Sequence, residues 1–220
     1  MNIIALIPAK LNSQSIPYKN LLKIKKRSLI EITIDEALKC KKIDKIFLSS
    51  ESLIIKKICL KKKVEFFKRN KKYSTYSALS RNVVSEFIKK NKIKKETIII
   101  YLQPTSPLRT NKHINNAINI FKKKNYLPVV SVKKIDKSIF KSVFLKKGLI
   151  KPTMNEKNLS ANRQSFPDLY LPNGAIYIFK VKSFLKNNDF PISGAVPYIM
   201  DAKSSIDIDK YEDLKKVKKN

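Results

Sequence analysis

The sequence predicts an α/β domain built on a mainly parallel sheet with helices on both faces. Three observations lead there: short, almost wholly apolar runs suited to strands buried on both sides, segments of helical period between them, and a βαβα order maintained from residue 3 to residue 132. Ile3–Pro8 is the first apolar run, and the polar loop Ala9–Asn20 follows it. Ser28 is placed to cap a helix running through Cys40, in which Leu29, Ile32, Ile34 and Ala37 fall near helical spacing. Ile43–Ser49 reads as the second strand, and a helix over 52–62 then precedes strand Val64–Phe67. A helix from Ser80 to Lys90 leads into the run TIIIYL, Thr97–Leu102, and a further helix spans Lys112–Lys124 before strand Pro128–Val132.

From Lys133 to Pro172 the pattern is less regular, with strands expected near Phe144–Ile150, and this stretch reads as an insertion in a single domain, 1–220. Regular pattern returns at Ala175–Phe179 and Val196–Met200, followed by Ser204–Asp209 and a lysine-rich helix from Lys210 to the end. Sheets of this kind bind ligands beyond the carboxyl ends of their strands. The loops at 9–20, 48–52 and 103–110 are therefore expected to share one cleft.

The 220 residues carry 48 Lys plus Arg against 17 Asp plus Glu, a net charge of +31. Such a balance suits a polyanion, yet only Arg27, Arg69, Arg81, Arg109 and Arg163 are arginines, the residue favoured for bidentate contacts to phosphate and guanine. The lysines recur at helix ends, where they complement the macrodipole and stay solvated, so no specific nucleic-acid partner is expected. No apolar run approaches the ~20 residues that span a bilayer, and MNIIALIPAK lacks the basic segment and cleavage site of a secretory signal. No membrane partner and a cytoplasmic location are expected. Cys40 and Cys59, without a second ligand pair nearby, are expected to be buried free thiols.

Asp207 and Asp209 are one residue apart, so an extended segment points both carboxylates to one side, where they can hold one hard cation such as Mg²⁺. Arg163 is an isolated guanidinium in a loop of a lysine-using protein, able to grip a carboxylate through two parallel hydrogen bonds. In LQPTSPLRT the two prolines brace a turn after the TIIIYL strand, with Gln103 at the strand end and Arg109 expected to fix the turn. His113, the only histidine, is expected on the surface without a chemical role.

The words IPAKLNSQSIPYKN (7–20), LQPTSPLRT (102–110), RQSFP (163–167), LPNGAIYI (171–178) and SSIDID (204–209) occur in that order across nearly the whole chain. Together they resemble the acylneuraminate cytidylyltransferases, also called CMP-sialic acid synthetases. The resemblance implies a Rossmann-like domain with a small insertion, here about 133–172, used in homodimerisation. It implies a Mg²⁺-dependent reaction that joins CTP to a nine-carbon 2-keto sugar acid, of sialic or legionaminic type, and releases pyrophosphate. It assigns Lys10, Ser13, Lys19, Asn20, Arg69 and Ser80 to the nucleotide, and Gln103, Arg163, Asn173, Tyr177 and Phe190 to the sugar. Phe190 belongs near the dimer interface. Asp207 and Asp209 take the metal, and with Lys19 they form the catalytic set. Three positions depart from the family pattern: Gln14 stands for a lysine, Ser15 for a glycine and Tyr76 for an aspartate. Those departures and the charge support an alternative, a degenerate copy of the fold that binds nucleotide or RNA through its basic surface.

Overall fold

The computed structural model describes residues 2–218. Its centre is a seven-stranded sheet of β1 (Ile3–Pro8), β4 (Lys45–Ser50), β5 (Glu65–Lys68), β6 (Ile98–Tyr101), β7 (Val129–Ile135), β10 (Leu169–Lys180) and β11 (Val196–Ile199), in the spatial order β11-β7-β10-β6-β1-β4-β5. Two short strands, β2 (Lys23–Ile24) and β3 (Arg27–Ser28), form a separate ribbon after the first loop, and β8 (Val143–Lys146) with β9 (Leu149–Pro152) forms a second one. Every pairing in the large sheet is parallel except those of β10, which runs antiparallel to both β6 and β7. The helices are α1 (Leu29–Leu38), α2 (Leu53–Lys62), α3 (Ser80–Lys90), α4 (Asn111–Lys123), α5 (Lys157–Ser160), α6 (Val181–Asn187) and α7 (Tyr211–Lys218).

Alternation along β1 and β6 explains why these strands read as continuous apolar runs. Ile3, Ala5, Ile7, Ile98 and Ile100 join the core that includes Ile30 and Ile34 of α1, Ile55 of α2 and Ile114 of α4. Ile4, Leu6, Ile99 and Tyr101 face the other way, onto Val84 and Phe87 of α3 and Phe184 of α6. Both sheet faces are thus covered, which leaves no polar face to break the run. Ser28 caps α1 as its sequence position predicts: the Glu31 amide donates to Ser28 Oγ at 3.3 Å, and the Ser28 amide donates to Glu31 Oε2 at 2.8 Å.

Several expectations are corrected. The strand expected at Ala175–Phe179 extends back to Leu169, so β10 begins inside the supposed insertion. Ser204–Asp209, expected to be extended at Asp207 and Asp209, is a turn followed by an irregular segment, tied to the turn after β6 by the Ile208 amide on Thr105 O at 2.8 Å. His113 is half-buried and useful: its Nδ1 accepts from the Thr110 amide at 3.2 Å at the start of α4. The last helix is seen from Tyr211 to Lys218, and positions 219 and 220 lie outside the described residues. Among the described residues no helix is long and apolar enough to cross a membrane.

Cys40 and Cys59 are buried and free. Burial pushes the Cys59 thiol up to about 11, so it carries almost no thiolate at neutral pH. A thiol reagent at pH 8 is expected to leave Cys59 unmodified in the native protein and to label it on unfolding in guanidinium. Rapid native-state labelling, located by peptide mapping, would contradict that burial.

Candidate active site

The first loop leaves the carboxyl end of β1, returns through buried Ile16 and ends in a short turn of 3-10 helix at Lys19–Leu21. Asn20 closes it by donating from Nδ2 to Lys10 O at 2.8 Å. The loop forms one wall of a cleft of about 550 Å³, lined also by Arg69, Ser80, Gln103, Thr105, Asp207 and Asp209. Lys10, Ser13, Gln14, Ser15, Lys19 and Asn20 all line this wall. A second cavity of about 440 Å³ shares Gln103, Asp207 and Asp209 with it, and continues along Asn173, Gly174 and Tyr177. The two spaces therefore meet at the carboxylate pair.

Of the three loops expected around the cleft, 9–20 and 103–110 line it, whereas 48–52 supports it from behind. Ser49 receives the Arg69 guanidinium on Oγ at 3.1 Å and on its carbonyl at 2.7 Å, and Glu51 accepts from the Leu11 amide at 2.8 Å and from Ser74 Oγ at 2.7 Å. Arg69 is buried and also reaches Tyr73 O at 3.4 Å, so most of its donors brace the wall they line. Burial holds its guanidinium below the usual arginine range. Ser80, at the start of α3, hydrogen-bonds the Tyr101 hydroxyl, which burial pushes up to about 12. Tyr101 was not legible as a site residue, because its run reads only as core.

Cations gather at the first-loop end of the cleft. Lys10 donates to Thr75 O at 3.1 Å and its ammonium lies 5.8 Å from the centre of the Tyr76 ring, so the residue standing for an aspartate has become an aromatic contact of this lysine. Burial, then the charges of Arg69 and Lys19, hold Lys10 below the usual lysine range. Extra cations crowded at partial burial favour an anion that relieves them. Lys19 is buried and donates to Ile208 O at 3.0 Å and Asp209 Oδ1 at 2.8 Å. An ammonium has three donors. The third is available to a ligand in the cleft.

Asp207 and Asp209 differ in environment. Asp207 Oδ1 is buried without a hydrogen-bond partner, and the Asp209 side chain is 68% exposed. Burial, with the charge of Asp209 beside it, holds the Asp207 carboxyl above the usual range, against a hydrogen bond from Thr105 and the charge of Lys19. A buried carboxylate oxygen left without a donor fits a hard cation. Among the described residues no cluster of three or more acidic, histidine or cysteine side chains could hold a metal, and Asp207 with Asp209 offers two carboxylates on one cleft. That suits Mg²⁺, which usually takes one or two carboxylates and completes its shell with phosphate oxygens and water.

The sugar-assigned residues separate into four groups. Gln103 and Tyr177 line the cavities. Asn173 lines the second cavity, but its amide is committed to the fold: Nδ2 donates to Ser205 Oγ at 2.9 Å, and Oδ1 accepts from the Ala175 amide at 3.2 Å and lies 2.6 Å from Ser131 Oγ. Phe190 stands behind the wall, its ring 5.0 Å from those of both Tyr101 and Tyr177. Arg163 lies on the exposed arm beyond β9, paired with Asp136, and does not line the cleft of its own chain. Arg109 fixes its turn as expected: fully buried, it donates from Nη1 to Gln103 O at 2.9 Å and to Ala175 O at 3.0 Å.

Sequence reasoning missed Gly174. Between Pro172 and Tyr177 the register of β10 against β7 shifts, and Gly174 sits in this bulge with φ +76. A Cβ there would stand 2.7 Å from Gln103 Oε1. The available signal was a glycine inside a strand pattern in a chain with only three glycines. Gly174→Ala is expected to cost about 1–3 kcal/mol through the left-handed backbone alone and to swing the Gln103 amide out of the cleft. A melting temperature within about 1 °C of wild type would show that the bulge tolerates a side chain.

Residues 4–219 match the family described as cytidylyltransferase. An N-acylneuraminate cytidylyltransferase of Streptococcus agalactiae is 31% identical over 218 residues, covering 97% of this chain and 52% of that protein. A CMP-N,N'-diacetyllegionaminic acid synthase of Legionella pneumophila is 29% identical over 216 residues, covering 95% of this chain and 91% of the relative. The chain thus spans about half the length of the streptococcal relatives it matches. Among solved structures, a CMP:2-keto-3-deoxy-manno-octonic acid synthetase complexed with CTP superposes with a TM-score of 0.73 at 14% identity, over 100% of this chain and 98% of the other. A 4-diphosphocytidyl-2C-methyl-D-erythritol synthase gives 0.69 at 14% identity, over 99% and 97%. At such identities these likenesses establish the Rossmann-like fold.

Proposed function

The chain belongs to the cytidylyltransferase family, and on that premise we propose that it transfers CMP from CTP to a 2-keto sugar acid, with release of pyrophosphate. The observation that carries this reading is the meeting of a cation-lined cleft and a second cavity at one pair of carboxylates. The anomeric hydroxyl of the acid, held in the second cavity, attacks the α-phosphorus of a nucleotide held in the first. Lys10 and the free donor of Lys19 face the phosphates, with Ser13 and Asn20 shaping the loop beneath them. Gln103, able to donate and to accept, stands at the border for the acceptor's hydroxyls. Asp207 and Asp209 are the residues that would hold Mg²⁺, which neutralises charge on the triphosphate when bound. Lys19 keeps its ammonium beside Asp209 in the first cavity and meets the charge that develops on the phosphoryl oxygens, the interaction that dominates catalysis in this chemistry.

The arm extends the proposal to a homodimer. Its β8–β9 ribbon exposes Leu145 at 76% and Ile150 at 65%, an apolar surface that a second copy would cover. Arg163 can then meet a sugar acid only in the cleft of that second copy. The noncatalytic, RNA-binding alternative is not favoured. A buried Asp207 oxygen without a donor destabilises the fold, and a chain with no cation to bind has no physical reason to keep it.

The test is pyrophosphate release from CTP and Mg²⁺ with a panel of sialic, legionaminic and 3-deoxy-octulosonic acids. Release above the acceptor-free background is expected with at least one of the nine-carbon acids. Background rates with every acid would overturn the reading.

A further inference from the structure

The acceptor side of the cleft is lined by three carboxylates, Asp207, Asp209 and Asp213, the first two assigned above to Mg²⁺, so an anionic acceptor needs a further cation of its own to hold its carboxylate there. Two lysines share that cavity wall. Lys216 already faces Asp213 at 3.7 Å. Lys133 is half-buried, and among the described residues its ammonium has no ion-pair or hydrogen-bond partner. The sheet sets its position: on β7 it stands opposite Leu171 of β10, on the strand face shared with Ser131, whose Oγ accepts from the Ile176 amide at 2.7 Å. Its side chain thus leaves the sheet beside the bulge that carries Gly174, where the second cavity opens.

Resting on the sugar-acid reading above, we propose that Lys133 is a specificity-determining residue that binds the acceptor's carboxylate from within the same chain. In the ring form of a 2-keto sugar acid the carboxylate and the reacting hydroxyl share one carbon. A cation that holds the first therefore orients the second toward the phosphorus. A lysine suits the place because its flexible stem lets one point charge follow acids with different ring substituents.

The experiment measures pyrophosphate release at saturating CTP with a sugar acid and with its C1 carboxamide, for wild type, Lys133→Gln and Lys133→Arg, together with CTP binding by calorimetry in the absence of acceptor. Lys133→Gln is expected to raise the KM for the acid about ten- to a hundredfold, the loss of one charge-assisted hydrogen bond, and to leave CTP affinity within about twofold. The wild-type preference for acid over carboxamide should collapse in Lys133→Gln and recover in part in Lys133→Arg. An unchanged KM with the preference intact overturns the proposal, as does a loss of CTP affinity equal to the loss for the acid. A wild type that binds CTP but converts no sugar acid overturns the sugar-acid reading and this proposal with it, a result distinct from an active wild type with an indifferent Lys133.

Discussion

Asp207→Asn is expected to lower turnover by about a thousandfold and, in the same protein, to raise the melting temperature. On the proposed metal role of Asp207, the activity loss follows from removing a negative ligand at the point where the two cavities meet, where electrostatic contacts to the transition state are worth about a hundred- to a thousandfold each. The stability gain follows from the orphaned Oδ1: a neutral amide of the same shape replaces a buried carboxylate that has no donor on one oxygen. A gain of about 1 kcal/mol corresponds to a rise of about 2–4 °C in a domain of this size. Asp209→Asn, whose side chain is largely exposed, should lose activity without the thermal gain. Thermal unfolding and initial rates on the same preparations check both. Near-wild-type turnover of Asp207→Asn at saturating Mg²⁺ would remove the carboxylate from the mechanism.

Lys19→Met is expected to be the mirror case, slower and less stable together. It keeps the buried aliphatic stem but discards the ammonium that donates to Ile208 O and Asp209. The lost transition-state contact predicts a fall in kcat/KM for CTP of about a hundred- to a thousandfold. The orphaned Ile208 carbonyl predicts a stability loss of about 1–2 kcal/mol, while the ion pair to Asp209, whose own side chain is largely exposed, adds little. Lys19→Arg should restore part of the stability and less of the activity, because a planar fork cannot place a donor where the compact ammonium does. If Lys19→Met melts normally and binds CTP with wild-type affinity in calorimetry, Lys19 belongs to neither the cleft nor the scaffold.

The sheet and its helices were legible because the information is local. Ile3–Pro8 and Ile98–Leu102 must be apolar at every position when both faces are covered, and Ser28 announces α1 through its own hydroxyl. The direction of β10 was not legible. Parallel and antiparallel central strands bury the same side chains, and only the neighbours chosen by the chain distinguish them. Nor could the sequence tell Asn173 and Arg69, whose polar groups brace the walls, from Gln103, which faces the cleft, since residue type alone does not say which polar group finds a partner in the fold.

The sequence by itself determined the alternating architecture, the first loop, the motif order and the spacing of Asp207 and Asp209. These rest on residue type and separation along the chain, which periodicity and short-range geometry convert into structure. Tertiary structure alone decided that Asp207 is buried with an orphaned oxygen while Asp209 reaches Lys19 across 190 residues, that Arg163 sits on an arm away from its own cleft, and that Gly174 must leave room for Gln103. Burial, ionisation and close approach depend on what the fold brings alongside each group from distant parts of the chain, and residue order carries no record of those distances.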